Sequence, residues 1–327
     1  TDHPPGRRLL LPADTEPAGI WVAKIAHRLT RGRGIKMQQE EIISLLDIIE
    51  DKMLDADTLG FSPDVLAVLD NVEASNQDIE MLKFRIGQEI LMKIFNIANS
   101  AYYGTLKKGA IHTFYEIVTR LGMSHTKVLI IILSQQSLAH DDEKVETVFA
   151  RSFAASVVGK LLAQQMGVRE DAAKRVELGG LFSEIGKMIM IIYKKLHAPD
   201  DDRIDDVFIE KYSPYLTERI IDVFALPDYL KTMVFQEGLG VEAGHITLSG
   251  IASLATSFVR ESFKKHRNRL LVEPLALPPD YDPLMSLEQI IREQFNAVGL
   301  GKYILVAKGR KRVLHSHEST KKISRPF

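Results

Sequence analysis

The sequence predicts an all-α protein organised as a two-lobed helical bundle. Three observations carry that prediction. Apolar residues recur at helical spacing along most of the chain, as in Ile90, Leu91, Ile94, Phe95, Ile97 and Ala98. Helix-start signals stand in front of these runs: Ser62-Pro63-Asp64 reads as N-cap, first-turn Pro and acid, and Thr113 with Glu116 has capping-box spacing. No stretch shows the sustained alternation of a sheet, so any strand is expected to lie within Tyr303–Ala307.

In chain order, residues 1–16 are rich in Pro and charge. Glu16 to Thr30 reads as a basic amphipathic helix, with Trp21, Ile25 and Leu29 on one stripe and Lys24, Arg28 and Arg31 alongside. Such a helix suits a membrane surface or a partner, but packing on the neighbouring bundle is the simpler reading. A second helix covers about Met37–Met53, and others begin at Ser62 and around Gln77. Ile90 opens the central stretch. Asn99, Ser100 and Gly104 close its first helix, Thr113 starts the next, and Gly122 ends that one. The following run, Val128–Leu133, is apolar all round and is expected to be buried.

The charged joint Asp141–Lys144 separates the lobes. Helices are then expected near Val145–Gln165 and through Asp171–Ile192, followed by an acidic linker over Pro199–Asp206. Further helices fall at Tyr215–Phe224, Pro227–Gln236 and Leu248–Phe263, and a short capped one at Ser286–Phe295. The domain reading is an N-terminal extension at 1–40, a first lobe at 41–143, a second at 144–265 and a C-terminal extension with a basic tail at 266–327.

Composition excludes several functions. Lys plus Arg total 42 against 43 acids, so nucleic acid is not an expected partner. The chain has no cysteine, which removes disulfides, thiolate metal sites and a Cys nucleophile, and suits a cytoplasmic protein. The apolar runs Val128–Leu133 and Met188–Tyr193 are too short to span a bilayer, and the first twenty residues have no secretory apolar region.

The residues Asn99, Ser100, Ala101, Tyr103 and Gly104, with Ile111, Ile117, Leu121 and Gly122, resemble the signature of the HDOD family, bacterial signalling domains related to HD-type phosphohydrolases. The resemblance runs over about Leu59–Phe263 and implies that the second lobe is a degenerate HD-like bundle. HD phosphohydrolases hold a divalent metal with a His from one helix, a His-Asp pair from another and a later Asp. At the matching positions this chain carries Arg151 and Ser183-Glu184, the latter inside Gly180-Leu-Phe-Ser-Glu-Ile-Gly-Lys187. After Leu226-Pro227, where relatives often place paired histidines, it has Phe235-Gln236-Glu237. A guanidinium cannot ligate a cation and a serine is a poor substitute for imidazole.

No catalytic residue, metal or cofactor is therefore expected. The expected function is a non-catalytic bacterial signalling module acting by binding a protein partner or a ligand, with a small anion as a candidate ligand. The alternatives are a metal-dependent phosphohydrolase, or a sensor of small anions or nucleotides that uses the former metal pocket of Arg151, Ser183, Glu184, Lys187 and Gln236. Arg151 and Glu184 are expected to form a direct ion pair, for which a bidentate geometry would be well suited, with Ser183 or Gln236 satisfying leftover donors. The competing arrangement turns Arg151 outward and fills the pocket with Phe182, Phe235 or water. The signature turn (Asn99, Ser100, Tyr102, Tyr103, Gly104) is expected to be architectural, with partner recognition as the competing role. His140-Asp141 and His315/His317 mimic metal spacing, but stand in a charged joint and a basic tail.

Overall fold

The computed structural model describes residues 37–54, 61–100, 103, 110–138, 142–235, 240–242, 245–272 and 287–306. The first twenty residues, the helix proposed at Glu16–Thr30 and the basic tail lie outside this set.

Helix α1 (Gln39–Met53) is followed by α2 (Pro63–Asp70), α3 (Asn76–Met81) with a 3-10 turn at Leu82–Phe84, α4 (Gln88–Asn99), α5 (Phe114–Leu121) and α6 (Met123–Leu138). The second lobe comprises α7 (Glu143–Gln165), α8 (Glu170–Phe182), α9 (Ile185–His197), α10 (Asp206–Val223), α11 (Tyr229–Phe235) and α12 (Leu248–Lys265). The chain ends in β3 (Leu270–Val272), α13 (Leu287–Ala297), a 3-10 turn at Gly301–Tyr303 and β4 (Ile304–Val306).

Local chemistry accounts for the helix starts. The Thr113 hydroxyl accepts from the Glu116 backbone N–H while the Glu116 carboxylate accepts from the Thr113 N–H, closing the capping box. Ser75 and Asp78 form a second box in front of α3. At α2 the start rests on Pro63 and Asp64, because the Ser62 side chain makes no capping bond. Gly122 has φ of 96°, a conformation that turns the chain sharply from α5 into α6.

Helix α6 is the shared axis. Every residue from His125 to Gln135 is buried, and α6 packs on α2, α4 and α5 of the first lobe and on α7 and α9 of the second. One apolar core consequently runs through both lobes. Helix α1 lies against α9 and α10, where Glu50 accepts from both Tyr215 (2.9 Å) and Arg219 (2.6 Å). Among the described residues no single helix is long and apolar enough to cross a membrane.

Three expectations need correction. First, strands are not confined to 303–307. Val241–Glu242 (β1) pairs antiparallel with His245–Ile246 (β2), and β3 pairs in parallel with β4. These strands are two or three residues long, too short to show alternation, and β4 needs a partner for its backbone groups. Second, the segment read as Asp171–Ile192 is two helices, broken at Ser183-Glu184, where Glu184 leaves helical geometry (ψ 18°). Third, α10 begins at Asp206 and runs through Pro214. Asp205 caps it by accepting from the Phe208 N–H, and burial of Phe208, Ile209 and Tyr212 outweighs the missing Pro214 donor.

The last described segment, residues 287–306, is joined to the core. Helix α13 packs on α4, and Ile290, Ile291, Phe295 and Tyr303 are buried. Phe295 meets the Phe153 ring edge-on at 5.3 Å, and Gln294 donates to the Ser100 hydroxyl of the signature turn.

Candidate functional site

Two of the positions that the resemblance matches to HD ligands, Arg151 and Glu184, converge. Arg151 projects from the middle of α7, and Glu184 sits in the break between α8 and α9. Both Arg151 Nε (2.7 Å) and Arg151 Nη2 donate to Glu184 Oε2. The second carboxylate oxygen, Oε1, accepts from Arg260 Nε of α12 at 3.0 Å. Glu184 is 5 % exposed and is thus a buried acid held between two guanidinium groups.

The expected direct ion pair is formed, but not as a two-oxygen fork. Arg151 places two donors on one oxygen, leaving the other for Arg260. Ser183 does not join it: its hydroxyl donates to the Gly180 carbonyl one turn back (2.7 Å). Phe182 is buried in the core, and Gln236 lies outside the described residues. Arg260 was not legible in the sequence. It sits in an ordinary amphipathic helix, 76 positions from its partner, with no local signal to mark it.

Beside the clamp, a cleft of about 530 Å³ is lined by Arg151, Lys144, Lys187, Glu143, Asp206 and Glu210, among others. Its charges are cross-paired. Lys187 donates to Glu210, and Lys144 lies 3.9 Å from Asp206. Burial pushes the Glu210 carboxyl up, but Lys187, then Arg260 and Arg151, outweigh it and hold the group below its ordinary value.

A divalent metal of the kind the HD resemblance implies does not fit this donor set. The one carboxylate at the position is taken by two cations, the hydroxyl faces away, and Arg151 would repel the ion. Among the described residues no group of three or more His, Asp or Glu is arranged to hold a metal. His140, Asp141, His315 and His317 lie outside the described residues.

The signature turn forms a second, separate constellation. Asn99 clamps its two ends: its side-chain carbonyl accepts from the Ile111 N–H (2.7 Å) and its amide donates to the Ile111 carbonyl (3.2 Å). The Ser100 hydroxyl donates to the Ile97 carbonyl at 2.6 Å. Tyr103 is half-buried and reaches the second lobe, where its hydroxyl donates to Glu177 Oε1 of α8 and lies 3.1 Å from His125 Nε2 of α6. Tyr102 and Gly104 lie outside the described residues. Nothing in the sequence marks Glu177 as the partner of Tyr103, because the contact joins residues 74 positions apart.

Burial is the main cause that lowers the His125 pKa from 6.5 to about 4; Lys160 and Lys174 add to it, and Glu177 and Glu170 oppose it. The sign follows. Above pH 6.5 neither folded nor unfolded chain protonates this ring. Between 6.5 and about 4 the unfolded chain does and the folded one does not, so stability falls with pH and this contribution is gone below 4. Urea denaturation should show a loss on the order of 3 kcal/mol over that window relative to a His125→Gln variant. Parallel pH profiles for the two proteins would remove His125 as the cause.

The described residues form an almost wholly α-helical bundle. Residues 62–200 match the HDOD domain profile, and that part of the chain is an HDOD domain. Among solved structures, the chain is similar to a protein from Shewanella amazonensis SB2B named provisionally as a metal-dependent phosphohydrolase. The identity is 14 %, over 79 % of this chain and 96 % of that one, with a TM-score of 0.49. It is also similar to an HDOD domain protein of unknown function from Geobacter sulfurreducens, at 10 % identity over 86 % and 88 % of the two chains, with a TM-score of 0.40. No activity is carried over from either. Comparison with curated proteins gave no match.

Proposed function

We propose that this chain is a non-catalytic regulatory module of bacterial signal transduction, acting in the cytoplasm by binding a protein partner. The observation that supports the reading is the Arg151–Glu184–Arg260 clamp at the position where the resemblance places metal ligands. Hydrolysis in HD enzymes needs a metal to lower the pKa of water and to neutralise phosphate charge. Here fixed guanidinium groups already balance the carboxylate, and no imidazole replaces the missing ligands. The alternative of an anion or nucleotide sensor has less support, because Arg151 and Lys187 are both engaged with acids of the same cleft.

The test has two arms. Full-length protein incubated with Mn, Fe or Mg and dialysed should carry far less than one metal per chain, and should not hydrolyse a model phosphodiester above a metal-only control. Affinity capture from the native cytoplasm should recover a partner that a surface-charge variant still binds. Near-stoichiometric metal with metal-dependent turnover would reinstate the phosphohydrolase.

A further inference from the structure

We infer that Tyr103, His125, Lys160 and Glu177 form a proton-sensitive latch that holds Tyr103 of the first lobe against the second lobe.

The latch draws on four separate parts of the chain. Tyr103 comes from the turn after α4, His125 from the first turn of α6, Lys160 from α7 and Glu177 from α8. His125 is 3 % exposed, and Lys160 and Glu177 are 1 % each, so the polar atoms have little access to water. Lys160 Nζ stands 3.2 Å from Glu170 and 3.5 Å from Glu177, and lies over the Tyr103 ring at 4.6 Å. The His125 ring meets the Tyr103 ring edge-on at 5.6 Å.

Proton accounting fixes the state of the closed latch. The Tyr103 hydroxyl has one proton, which it gives to Glu177 Oε1. Its 3.1 Å contact with His125 Nε2 therefore needs the imidazole as donor. The neutral ring and the imidazolium both carry an Nε2–H; the closed latch holds the neutral one, with a bare lone pair on Nδ1, because no acceptor stands at Nδ1. Nδ1 is buried without a hydrogen-bond partner, as is Glu177 Oε2. Adding a proton would place an N–H where no acceptor stands, and a second cation near Lys160 and Lys174; Glu177 and Glu170 offset part of this. Rotating Tyr103 away opens His125 to water and relieves both penalties. The same movement releases Tyr103 from α6 and α8.

This inference is independent of whether the clamp at Glu184 binds metal, so its test is separate from that of the proposed function. Amide hydrogen exchange is read by NMR in the full chain, corrected for intrinsic rates. The reporters are Tyr103, whose N–H is bonded to the Ser100 carbonyl, and Ile111, bonded to the Asn99 side chain. Between pH 7.5 and 5 their protection should fall about thirtyfold, the ratio set by a His125 pKa of about 4 when closed and 6.5 when open. Leu178 and Leu181 of α8 should stay protected. His125→Gln keeps a donor towards Tyr103 without a titrating ring, and should abolish the pH dependence. Tyr103→Phe should leave Ile111 poorly protected at both pH values. The latch is overturned if protection does not change with pH, if His125→Gln responds as the parent does, or if α8 loses protection in step with Tyr103. Should His125→Gln fail to fold, the Tyr103→Phe result decides: full protection of Ile111 at pH 7.5 excludes the latch.

Discussion

Stripping both guanidinium groups from Glu184, in Arg151→Ala/Arg260→Ala, should cost about 3–5 kcal/mol of folding stability, the usual loss when a buried charge is left unpaired. Either single substitution should cost less than half of this, because each arginine serves a different oxygen of the same carboxylate. The effects should accordingly be more than additive. Adding Glu184→Gln to the double variant should recover most of the loss, since the buried group then carries no charge. Urea denaturation of the parent and the four variants at pH 7 makes the comparison. A double variant within about 1 kcal/mol of the parent would mean that Glu184 finds water or Lys187 instead, and that the clamp is not what holds it. Retention of the arginines does not require a large net gain over an apolar replacement, because desolvation offsets much of their attraction.

The second large effect lies in the Gly-Gly…Gly pattern of the same segment. A Cβ on Gly186 would stand 2.0 Å from the Ser213 carbonyl oxygen and 2.8 Å from the Thr217 nitrogen of α10, both backbone atoms that cannot turn aside. The contact is also bonded: the Gly186 N–H donates to the Thr217 hydroxyl (3.2 Å), which donates to the Ser213 carbonyl (3.1 Å). Gly186→Ala should therefore push α9 off α10 at a cost of about 3 kcal/mol, at the upper end for overpacking. Gly180→Ala should behave alike, because its Cβ would meet the Ala155 and Ser156 backbone of α7 at 2.6 Å. Gly159→Ala is the control. Its nearest neighbour is a Val176 methyl at 3.1 Å, and alanine's helix preference of about 1 kcal/mol should largely compensate. Equal stabilities for all three variants would show that the helices slide apart freely.

Signals that act within one or two turns of chain were legible in the sequence. The Thr113/Glu116 box, the Pro63 helix start, the Gly122 corner and the all-round apolar face of α6 follow from capping, φ preference and period, which are set by near neighbours. That Arg151, Ser183 and Glu184, which the resemblance matches to HD ligand positions, make a poor metal-binding set was equally plain, because ligand chemistry belongs to the residue type. What the fold alone decided is which distant groups meet. Arg260 became the second cation on Glu184, Glu177 and Lys160 became the surroundings of His125, and α13 closed on α4. The passage of α10 through Pro214 belongs with these, since burial on both sides of the proline overrides a strong local preference. Charge pairing and burial depend on distance in space. A single sequence records only separation along the chain, and nothing in the helical period of α12 distinguishes Arg260 from an arginine facing water.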